Sequence, residues 1–324
     1  MKAIVHDTYG TPDVLEFREV EPPGLGPADV AVRVHAASVN PLDWHFLTGT
    51  PYLMRLTAGL RRPKRTIAGV DVAGTVVEVG ADVTGFAPGD RVFGSVPGAF
   101  AETVVATRAA DRLVAMPDGL DFAEAAALPV AGLTALQALH DHADVGPGRS
   151  VLINGAAGGV GTFAVQFAVA MGAEVTAVCS GRNVDMVREL GAHRVIDYTT
   201  DDFADGTRYD VMIDNVGNRS FADCRRSLAS DGTYVMVSGP KGKWIRPIDR
   251  IVAGRLRFLR GDQTFVSFTA VNSAAELRAL LAYVERGEVR SMIDRRYPLA
   301  DAAEALRYLA TGHARAKLII DVAG

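Results

Sequence analysis

Hydrophobic and polar positions follow one pattern in the first third of the chain and another pattern after it. Up to about residue 118, short β-branched runs are interrupted by Gly, Pro and Asp, which is typical of strands joined by tight turns. The predicted strands are Ala3–His6, Val30–Val34, Val72–Val79, Arg91–Gly94 and Glu102–Ala106. A helical stretch follows from about Asp121 to His142. The pattern therefore predicts a β-rich part that ends before a helical one.

From Ser150 onward, apolar strands alternate with helical segments. The predicted helices are Gly159–Met171 and Asn183–Leu190, and the predicted strands are Ser150–Asn154, Glu174–Cys179, Arg194–Asp197, Val211–Asn215, Thr233–Val237 and Leu256–Arg260. This alternation predicts a parallel sheet covered on both faces. Leucines at helical spacing then predict an amphipathic helix over Ser273–Arg286, and Leu318–Ile320 predicts a closing strand.

Composition narrows the classes of protein. The 324 residues, 48% of them hydrophobic, are about twice the ~150 residues typical of one domain. A net charge of −4 gives no general attraction to nucleic acid. Cys179 and Cys224 are too few for a disulfide framework. Because we find neither a signal peptide nor an apolar run of ~20 residues, we expect a cytoplasmic protein without a membrane span.

A glycine-rich turn joins a predicted strand directly to a predicted helix. Ser150–Asn154 leads into Gly155-Ala-Ala-Gly-Gly-Val-Gly161. Glycines permit a tight turn and a close approach of the backbone to a pyrophosphate, and the helix N-terminus offers N–H groups to it. The order of strand, turn and helix predicts a dinucleotide site, although Ala156 replaces the first glycine of the usual pattern. The candidate contacts are Ala157, Gly158, Gly159 and Val160.

The end of the second predicted strand indicates which dinucleotide binds. An NAD site normally has an acidic residue about 20 positions after the glycines, to hold the ribose 2′-hydroxyl. This chain has Ser180 there, followed by Arg182. The serine hydroxyl and the arginine cation would bind a 2′-phosphate, as in NADP(H), better than the free ribose 2′-hydroxyl of NAD(H). We therefore expect NADP(H) as the cofactor; a solvated Arg182 in the first helical turn is the alternative.

Four segments resemble the zinc-free quinone oxidoreductase branch of the medium-chain dehydrogenase/reductase superfamily, and the resemblance covers essentially the whole chain. They are Ala37–Asp43, Ala68–Gly74, Gly85–Val92 and Ala156–Gly161. The resemblance implies an α/β fold in which residues 1–119 and 263–324 form a split GroES-like β-barrel catalytic domain. A Rossmann NADP-binding domain, a doubly wound parallel sheet over residues 120–262, would be inserted between them.

Zinc-dependent members of the superfamily have three ligands at positions where this chain has Asn40, Val70 and Val130. The carboxylate of Asp71 remains, but catalytic zinc needs three protein ligands. We therefore expect no metal site. Without a Lewis acid, hydride transfer needs an acceptor that is already electrophilic, such as a quinone or an α,β-unsaturated carbonyl.

The resemblance also implies roles for single residues. Asn40 would lie near the nicotinamide ribose and the acceptor, and Thr134 near the carboxamide. Tyr52 is either a donor in the pocket or an aromatic wall. His45 lies where zinc-dependent relatives have a proton-relay histidine; packing beside Trp44 and Phe46 is the alternative.

On the cofactor side, the resemblance places Tyr198 near the 2′-phosphate and Lys317 near the phosphates. The nicotinamide side would be lined by Asn215, Val216, Ser238 and Gly239. Two basic runs have a solvated face as the alternative to a ligand contact. The run from Arg55 to Arg65 could attract an acidic substrate, and the run of Lys241, Lys243, Arg246 and Arg250 could skirt the cofactor phosphates.

The leading expectation is an NADPH-dependent oxidoreductase that reduces quinones or α,β-unsaturated carbonyls without zinc and forms a homodimer. The alternatives are an enoyl-thioester reductase, a zinc-independent alcohol dehydrogenase-like protein, and an NADPH-binding structural protein without turnover.

Overall fold

The computed structural model describes residues 1–239 and 248–322. The strands are β1 (Lys2–Val5), β2 (Glu16–Glu19), β3 (Asp29–Val39), β4 (Asp71–Val79), β5 (Arg91–Ser95), β6 (Thr103–Thr107), β7 (Leu113–Ala115), β8 (Ser150–Asn154), β9 (Glu174–Cys179), β10 (Arg194–Asp197), β11 (Tyr209–Asp214), β12 (Leu228–Met236), β13 (Thr264–Ser267), β14 (Ile293–Pro298) and β15 (Lys317–Asp321). The helices are α1 (Pro41–Thr48), α2 (Arg55–Ala58), α3 (Phe122–Ala127), α4 (Pro129–Leu139), α5 (Gly159–Ala170), α6 (Val184–Glu189), α7 (Phe221–Arg226), α8 (Ile248–Phe258), α9 (Ala274–Glu285) and α10 (Ala302–Ala310).

The chain forms two compact units. Unit 1 comprises Met1–Leu133, Val271–Ala282 and Ser291–Gly324. Unit 2 comprises Thr134–Ala270 and Tyr283–Arg290. In the part of the chain that the structure describes, we find no helix with the length and apolar character that crossing a membrane requires.

Unit 1 is built on a mixed sheet in the order β14-β15-β3-β4-β5-β7, and β6 also pairs with β3. Strand β3 is antiparallel to both β15 and β4, with Val39 opposite Leu318 and Ser38 opposite Asp71. The end of β3 therefore lies beside the beginnings of β4 and β15. Buried valines of β3 and β4, together with Phe100 and Leu306, form the core of this unit.

Unit 2 contains a six-stranded parallel sheet in the order β10-β9-β8-β11-β12-β13. Consecutive residues of the central strand β8, from Val151 to Asn154, are all buried, so both of its faces are covered. This arrangement confirms the predicted doubly wound parallel sheet. All these strands end at the same edge, where ligands bind in folds of this kind.

One predicted strand is wrong. Residues 256–258 belong to helix α8 rather than to a strand, and the edge strand β13 begins only at Thr264. Gly254 and Phe258 are buried while Leu256 between them is 63% exposed, which is the periodicity of a helix lying on a sheet. The apolar run around Leu256 is too short to distinguish the repeat of a helix from that of a strand.

Candidate active site

A group of buried polar side chains lies where the end of β3 meets the beginnings of β4 and β15 in unit 1. We call it the Asp71 cluster; it comprises Ser38, Asn40, Asp43, Asp71, Ser95 and Lys317, each at most 5% exposed. The antiparallel pairing of β3 with its two neighbours brings these residues together from distant parts of the sequence. Buried polar groups are stable when they are hydrogen-bonded, and these side chains bond to one another and to nearby backbone groups.

The carboxylate of Asp71 is the centre of the cluster. Its Oδ2 accepts hydrogen bonds from Asn40 Nδ2 at 2.9 Å, Ser38 Oγ at 3.2 Å and the Val130 backbone N–H at 3.2 Å. Its Oδ1 accepts one from Ser95 Oγ at 2.9 Å. The Lys317 ammonium donates to Asn40 Oδ1 at 2.6 Å and is 3.4 Å from the carbonyl oxygen of Val39. An amide group thus links a buried cation to a buried anion.

Asp43 is the member of the cluster that lies in the first turn of α1. Asn40 is the N-cap of α1, and its backbone N–H donates to Asp43 Oδ2 at 2.7 Å in a capping box. Burial, together with the nearby Asp71 carboxylate, raises the pKa of Asp43 to about 7. Burial also raises the pKa of Asp71 and lowers that of Lys317, since it disfavours each charged form.

The donor set does not fit a catalytic zinc ion. At the three ligand positions named above, Asn40 contributes an amide that is already bonded to an ammonium, Val70 has no donor side chain, and Val130 contributes its backbone N–H to Asp71. Within residues 1–239 and 248–322, no three His, Cys, Asp or Glu side chains are grouped so as to hold a metal. A cation placed at Asp71 would also meet the Lys317 ammonium.

The other two candidate catalytic residues lie in α1, which contains His45, and in the segment directly after it, which contains Tyr52. His45 Nδ1 is 2.7 Å from the Thr50 carbonyl oxygen, which only accepts, so Nδ1 carries the proton and Nε2 is the basic nitrogen of the neutral ring. Tyr52 is half-buried, and the Arg55 guanidinium lies 4.6 Å from the centre of its ring. The catalytic roles of both residues stay predictions.

The first basic run divides into two parts. Arg55 is structural: it donates to the carbonyl oxygens of Gly49 and Thr48 and also lies over the Tyr9 ring at 4.3 Å. By contrast, Arg61, Arg62, Lys64 and Arg65 are exposed. Of the second run, Lys241, Lys243 and Arg246 lie outside the described residues. Arg250 of that run donates to the Arg219 carbonyl oxygen and lies over the Phe221 ring at 4.4 Å.

In unit 2 the glycine turn has the geometry expected for a pyrophosphate cradle. Gly155 has a positive φ of 78°, and Gly158, in extended conformation, is the N-cap of α5. A Cβ on Gly161 would lie 2.1 Å from the Gly155 carbonyl oxygen, so the helix can start this close to the strand only with glycine there. A Cβ on Gly158 would meet only that same oxygen, at 3.5 Å. The N–H groups of the first turn have no intrahelical acceptor, which suits an anionic ligand.

The residues proposed for the 2′-phosphate follow two neighbouring strands of the same sheet. Ser180 follows β9, Tyr198 follows β10, and the Tyr198 N–H donates to the Cys179 carbonyl oxygen at 3.0 Å. Arg182 and Tyr198 are exposed. The structure therefore groups Ser180, Arg182 and Tyr198 at one corner of the sheet edge.

An acidic residue that was not predicted from the sequence lies at the same corner. Asp197 pairs with Cys179 in the register of β10 and β9. Its Oδ1 accepts from the Thr199 N–H and Oγ1, and these bonds hold the pKa of Asp197 below its usual value. The other oxygen is so close to Gly181 that a Cβ there would lie 2.4 Å from it. The end of β9, where an acidic residue is expected in an NAD site, has none, whereas this carboxylate comes from the adjacent strand β10.

The turn after β11 is held by a second buried carboxylate. Asp214 Oδ1 accepts from the Val216 and Gly217 N–H groups and from Asn154 Nδ2, while Tyr234 O–H donates to Oδ2 at 2.5 Å. Burial, with the charge of Asp214, raises the pKa of Tyr234 above its ordinary range. Asp214 thus fixes the turn that contains the candidates Asn215 and Val216, and sequence reasoning overlooked it because a lone Asp at a strand end resembles any turn residue.

The remaining candidates occupy separate elements. Ser238 and Gly239 follow β12 at the same sheet edge, where the Ser238 N–H donates to the Asp214 carbonyl oxygen at 3.3 Å. Thr134 is half-buried in α4. Lys317, expected near the cofactor phosphates, has its ammonium inside unit 1 on Asn40.

Comparisons with known proteins agree with this architecture. The profile described as "Alcohol dehydrogenase GroES-like domain" matches residues 26–118, and the one described as "Zinc-binding dehydrogenase" matches residues 190–320. The GroES-like match falls on unit 1 and, with the parallel sheet of unit 2, confirms the predicted fold class.

Whole-chain relatives are similar over nearly the full length. The chloroplast envelope quinone oxidoreductase homolog of Arabidopsis thaliana is 34% identical, covering 99% of this chain and 98% of the relative. The structure of the quinone oxidoreductase from Coxiella burnetii has a TM-score of 0.85 at 32% identity, covering 100% and 99% of the two chains. A mycobacterial protein solved with NADPH has a TM-score of 0.83 at 27% identity, covering 99% and 100%.

Proposed function

Because this chain belongs to the quinone oxidoreductase branch of the medium-chain dehydrogenase/reductase superfamily and is an NADPH-dependent oxidoreductase, we propose that it reduces quinones or α,β-unsaturated carbonyls without a metal ion. The observation that carries the proposal is the Asp71 cluster. Two of the positions that hold zinc ligands in related enzymes, Asn40 and Val130, are bonded to Asp71, and the cation beside them is the ammonium of Lys317.

The chemistry follows from that cluster. Bound NADPH would supply a hydride to the acceptor's conjugated system, and the residues of the site would stabilise the negative charge on a carbonyl oxygen until a proton is delivered. A conjugated acceptor spreads this charge without a Lewis acid, whereas a saturated ketone would form a localised alkoxide. The protein's contribution is then positioning, exclusion of water and hydrogen bonding to that oxygen.

We assign the proton-supplying and acceptor-facing roles to three residues of unit 1. Asn40 would lie at the nicotinamide ribose and the acceptor, and Tyr52 would offer a hydroxyl to the acceptor oxygen. His45 would relay a proton through Nε2, since Nδ1 is committed to the Thr50 carbonyl oxygen.

The cofactor roles fall mainly on unit 2. The pyrophosphate would bind at Ala157, Gly158, Gly159 and Val160, the 2′-phosphate at Ser180, Arg182 and Tyr198, and the nicotinamide beside Thr134, Asn215, Val216, Ser238 and Gly239. The open N-terminus of α5 and the shared edge of the parallel strands support this arrangement.

An acceptor panel tests the proposed reaction. NADPH oxidation is followed with a benzoquinone, an alkenal, crotonyl-CoA and a simple ketone, each with and without a chelator. We expect turnover with the quinone or the alkenal that is unchanged by the chelator. Turnover restricted to the ketone and abolished by the chelator would refute the proposal, and NADPH binding without turnover would indicate a binding protein.

The same assay tests the proton relay. His45→Gln keeps a polar side chain but removes the basic nitrogen, so the relay predicts that the pH dependence of kcat changes. If the profile of His45→Gln overlays that of the unmodified protein, His45 is a packing residue.

An enoyl-thioester acceptor is the second candidate, favoured by the exposed cations Arg61, Arg62, Lys64 and Arg65. No acidic residue occurs between Asp43 and Asp71, so this surface would attract the phosphates of a coenzyme A group. Faster turnover of crotonyl-CoA than of the alkenal would favour this candidate.

The cytoplasmic location and the homodimer stay predictions. The compartment can be checked by fractionating cells that express the protein at its native level. The oligomeric state can be checked by light scattering, where a monomer would contradict the prediction.

A further inference from the structure

The contacts of Lys317 give it a different role from the one its position in the sequence suggests. Lys317 is the first residue of β15, directly after Ala316, whose φ is 59°. Because β15 pairs with the end of β3, the side chain of Lys317 enters unit 1 beside Asn40. It is 3% exposed, and its ammonium contacts Asn40 Oδ1 at 2.6 Å and the Val39 carbonyl oxygen at 3.4 Å.

These contacts determine which way the Asn40 amide faces. An ammonium can only donate hydrogen bonds and an ionised carboxylate can only accept them. Asn40 lies between one of each, so its oxygen must face Lys317 and its nitrogen must face Asp71, at 2.9 Å. Without the ammonium, the buried Asp71 carboxyl would take up a proton more readily and could then donate to the amide oxygen, so the orientation of Asn40 would no longer be fixed.

Lys317 also balances the charge of the cluster. Asp71 is fully buried, and its other partners, Ser38, Ser95 and the Val130 N–H, are neutral. The Lys317 ammonium is the cation that reaches this carboxylate through the amide of Asn40. Removing one member of a buried charge pair leaves the other uncompensated, which destabilises a fold strongly.

We propose that Lys317 is a positioning residue of the active site: its buried ammonium orients the Asn40 amide and compensates the charge of Asp71, and it does not bind the cofactor's phosphates. The orienting part rests on the proposed function, because it matters for turnover only if Asn40 acts at the nicotinamide. The charge-compensating part is independent of the reaction.

Two variants separate the two parts. Lys317→Met keeps an unbranched side chain and removes the ammonium. In the double variant Lys317→Met/Asp71→Asn, the charge imbalance is removed as well, but the Asn40 amide can turn so that its oxygen accepts from the new amide. The double variant should therefore recover stability without recovering the original orientation. Arg315→Met, which removes an exposed cation two residues away, is the matched control.

Three measurements are made on each protein: the melting temperature without cofactor, the Kd for NADPH, and kcat with the best acceptor. For Lys317→Met we expect a melting temperature lower by about 5 °C or more and a kcat at least ~10-fold lower, with the Kd changed by less than ~3-fold. For the double variant we expect the melting temperature to return toward the original and kcat to stay low. Arg315→Met should match the unmodified protein.

Other outcomes overturn the proposal. A phosphate contact by Lys317 predicts a Kd for NADPH at least ~10-fold weaker with an unchanged melting temperature. Charge compensation is refuted if the double variant melts no higher than Lys317→Met. If Lys317→Met does not fold, charge compensation is refuted when the double variant does not fold either. An unchanged kcat in Lys317→Met refutes the orienting role. If the unmodified protein turns over no acceptor, the proposed function fails, while the melting temperatures still decide whether Lys317 compensates Asp71.

Discussion

The glycine turn of unit 2 and the Asp71 cluster of unit 1 solve different problems with different parts of the chain. The turn is made by consecutive residues, Gly155–Gly161, and presents backbone N–H groups to an anion. The cluster is made by side chains from residues 38 to 317 and buries two carboxylates and an ammonium. A site made of backbone groups does not depend on which side chains surround it, but it has no room for an added atom where backbone packs on backbone. A site made of side chains depends on the identity of each one.

The largest effect that this comparison predicts is from adding a single methyl group to the turn. Gly161→Ala would place a Cβ 2.1 Å from the Gly155 carbonyl oxygen and 2.7 Å from Ala156 Cα, both backbone atoms that cannot move aside cheaply. We expect a loss of ~3 kcal/mol or more in the free energy of unfolding, comparable to severe overpacking. Denaturant unfolding without cofactor measures it.

Gly158→Ala is the matched control, because its Cβ would meet protein atoms only at 3.5 Å. It should unfold like the unmodified protein but bind NADPH more weakly, since the added methyl group stands where the pyrophosphate would approach. Equal losses of stability in the two variants would contradict the close-packing account of Gly161.

The Asp71 cluster should show itself in the pH dependence of stability. Because burial raises the pKa of Asp43 from 3.8 to about 7, the folded protein holds a proton there that the unfolded chain has lost. Asp43 therefore stabilises the fold most below about pH 4, and this contribution, up to ~4 kcal/mol, is lost as the pH rises to about 7.

Asp43→Asn removes this titration but keeps an oxygen that can accept from the Asn40 N–H. Measured between pH 4 and pH 7, the variant should gain stability relative to the unmodified protein as the pH rises. Unfolding curves whose difference does not change with pH would show that Asp43 is ionised throughout.

The smallest predicted effect is at the 2′-phosphate corner, where exposed side chains meet solvent. Arg182→Ala should raise the KM for NADPH by ~10-fold and leave the KM for NADH nearly unchanged, because a charge-assisted bond to phosphate is lost. Asp197→Asn should shift the preference in the opposite direction, since it removes a negative charge beside the same loop. Equal changes for both cofactors in Arg182→Ala would place the 2′-phosphate elsewhere.

The sequence was sufficient to predict the features that depend only on neighbouring residues in the chain. Periodicity predicted most strands, and the order of strand, glycines and helix predicted the turn of unit 2. It was insufficient at helix α8, because the apolar residues around Leu256 fit a strand as well as a helix, and the edge strand β13 that follows was not predicted. It also missed Asp197, because only the pairing of β10 with β9 brings that carboxylate to Gly181.

What the sequence alone determined is the kind of residue at each position: glycines where backbone must approach backbone, and Asn40, Val70 and Val130 where zinc ligands occur in related enzymes. Only the tertiary structure decided what these residues do together. Antiparallel pairing of β3 with β4 and β15 brings Asn40 between Asp71 and Lys317, although Lys317 is far from both in sequence. The physical reason is that a buried charge must have a partner, and which residue supplies it depends on strand pairing, which a linear pattern does not contain.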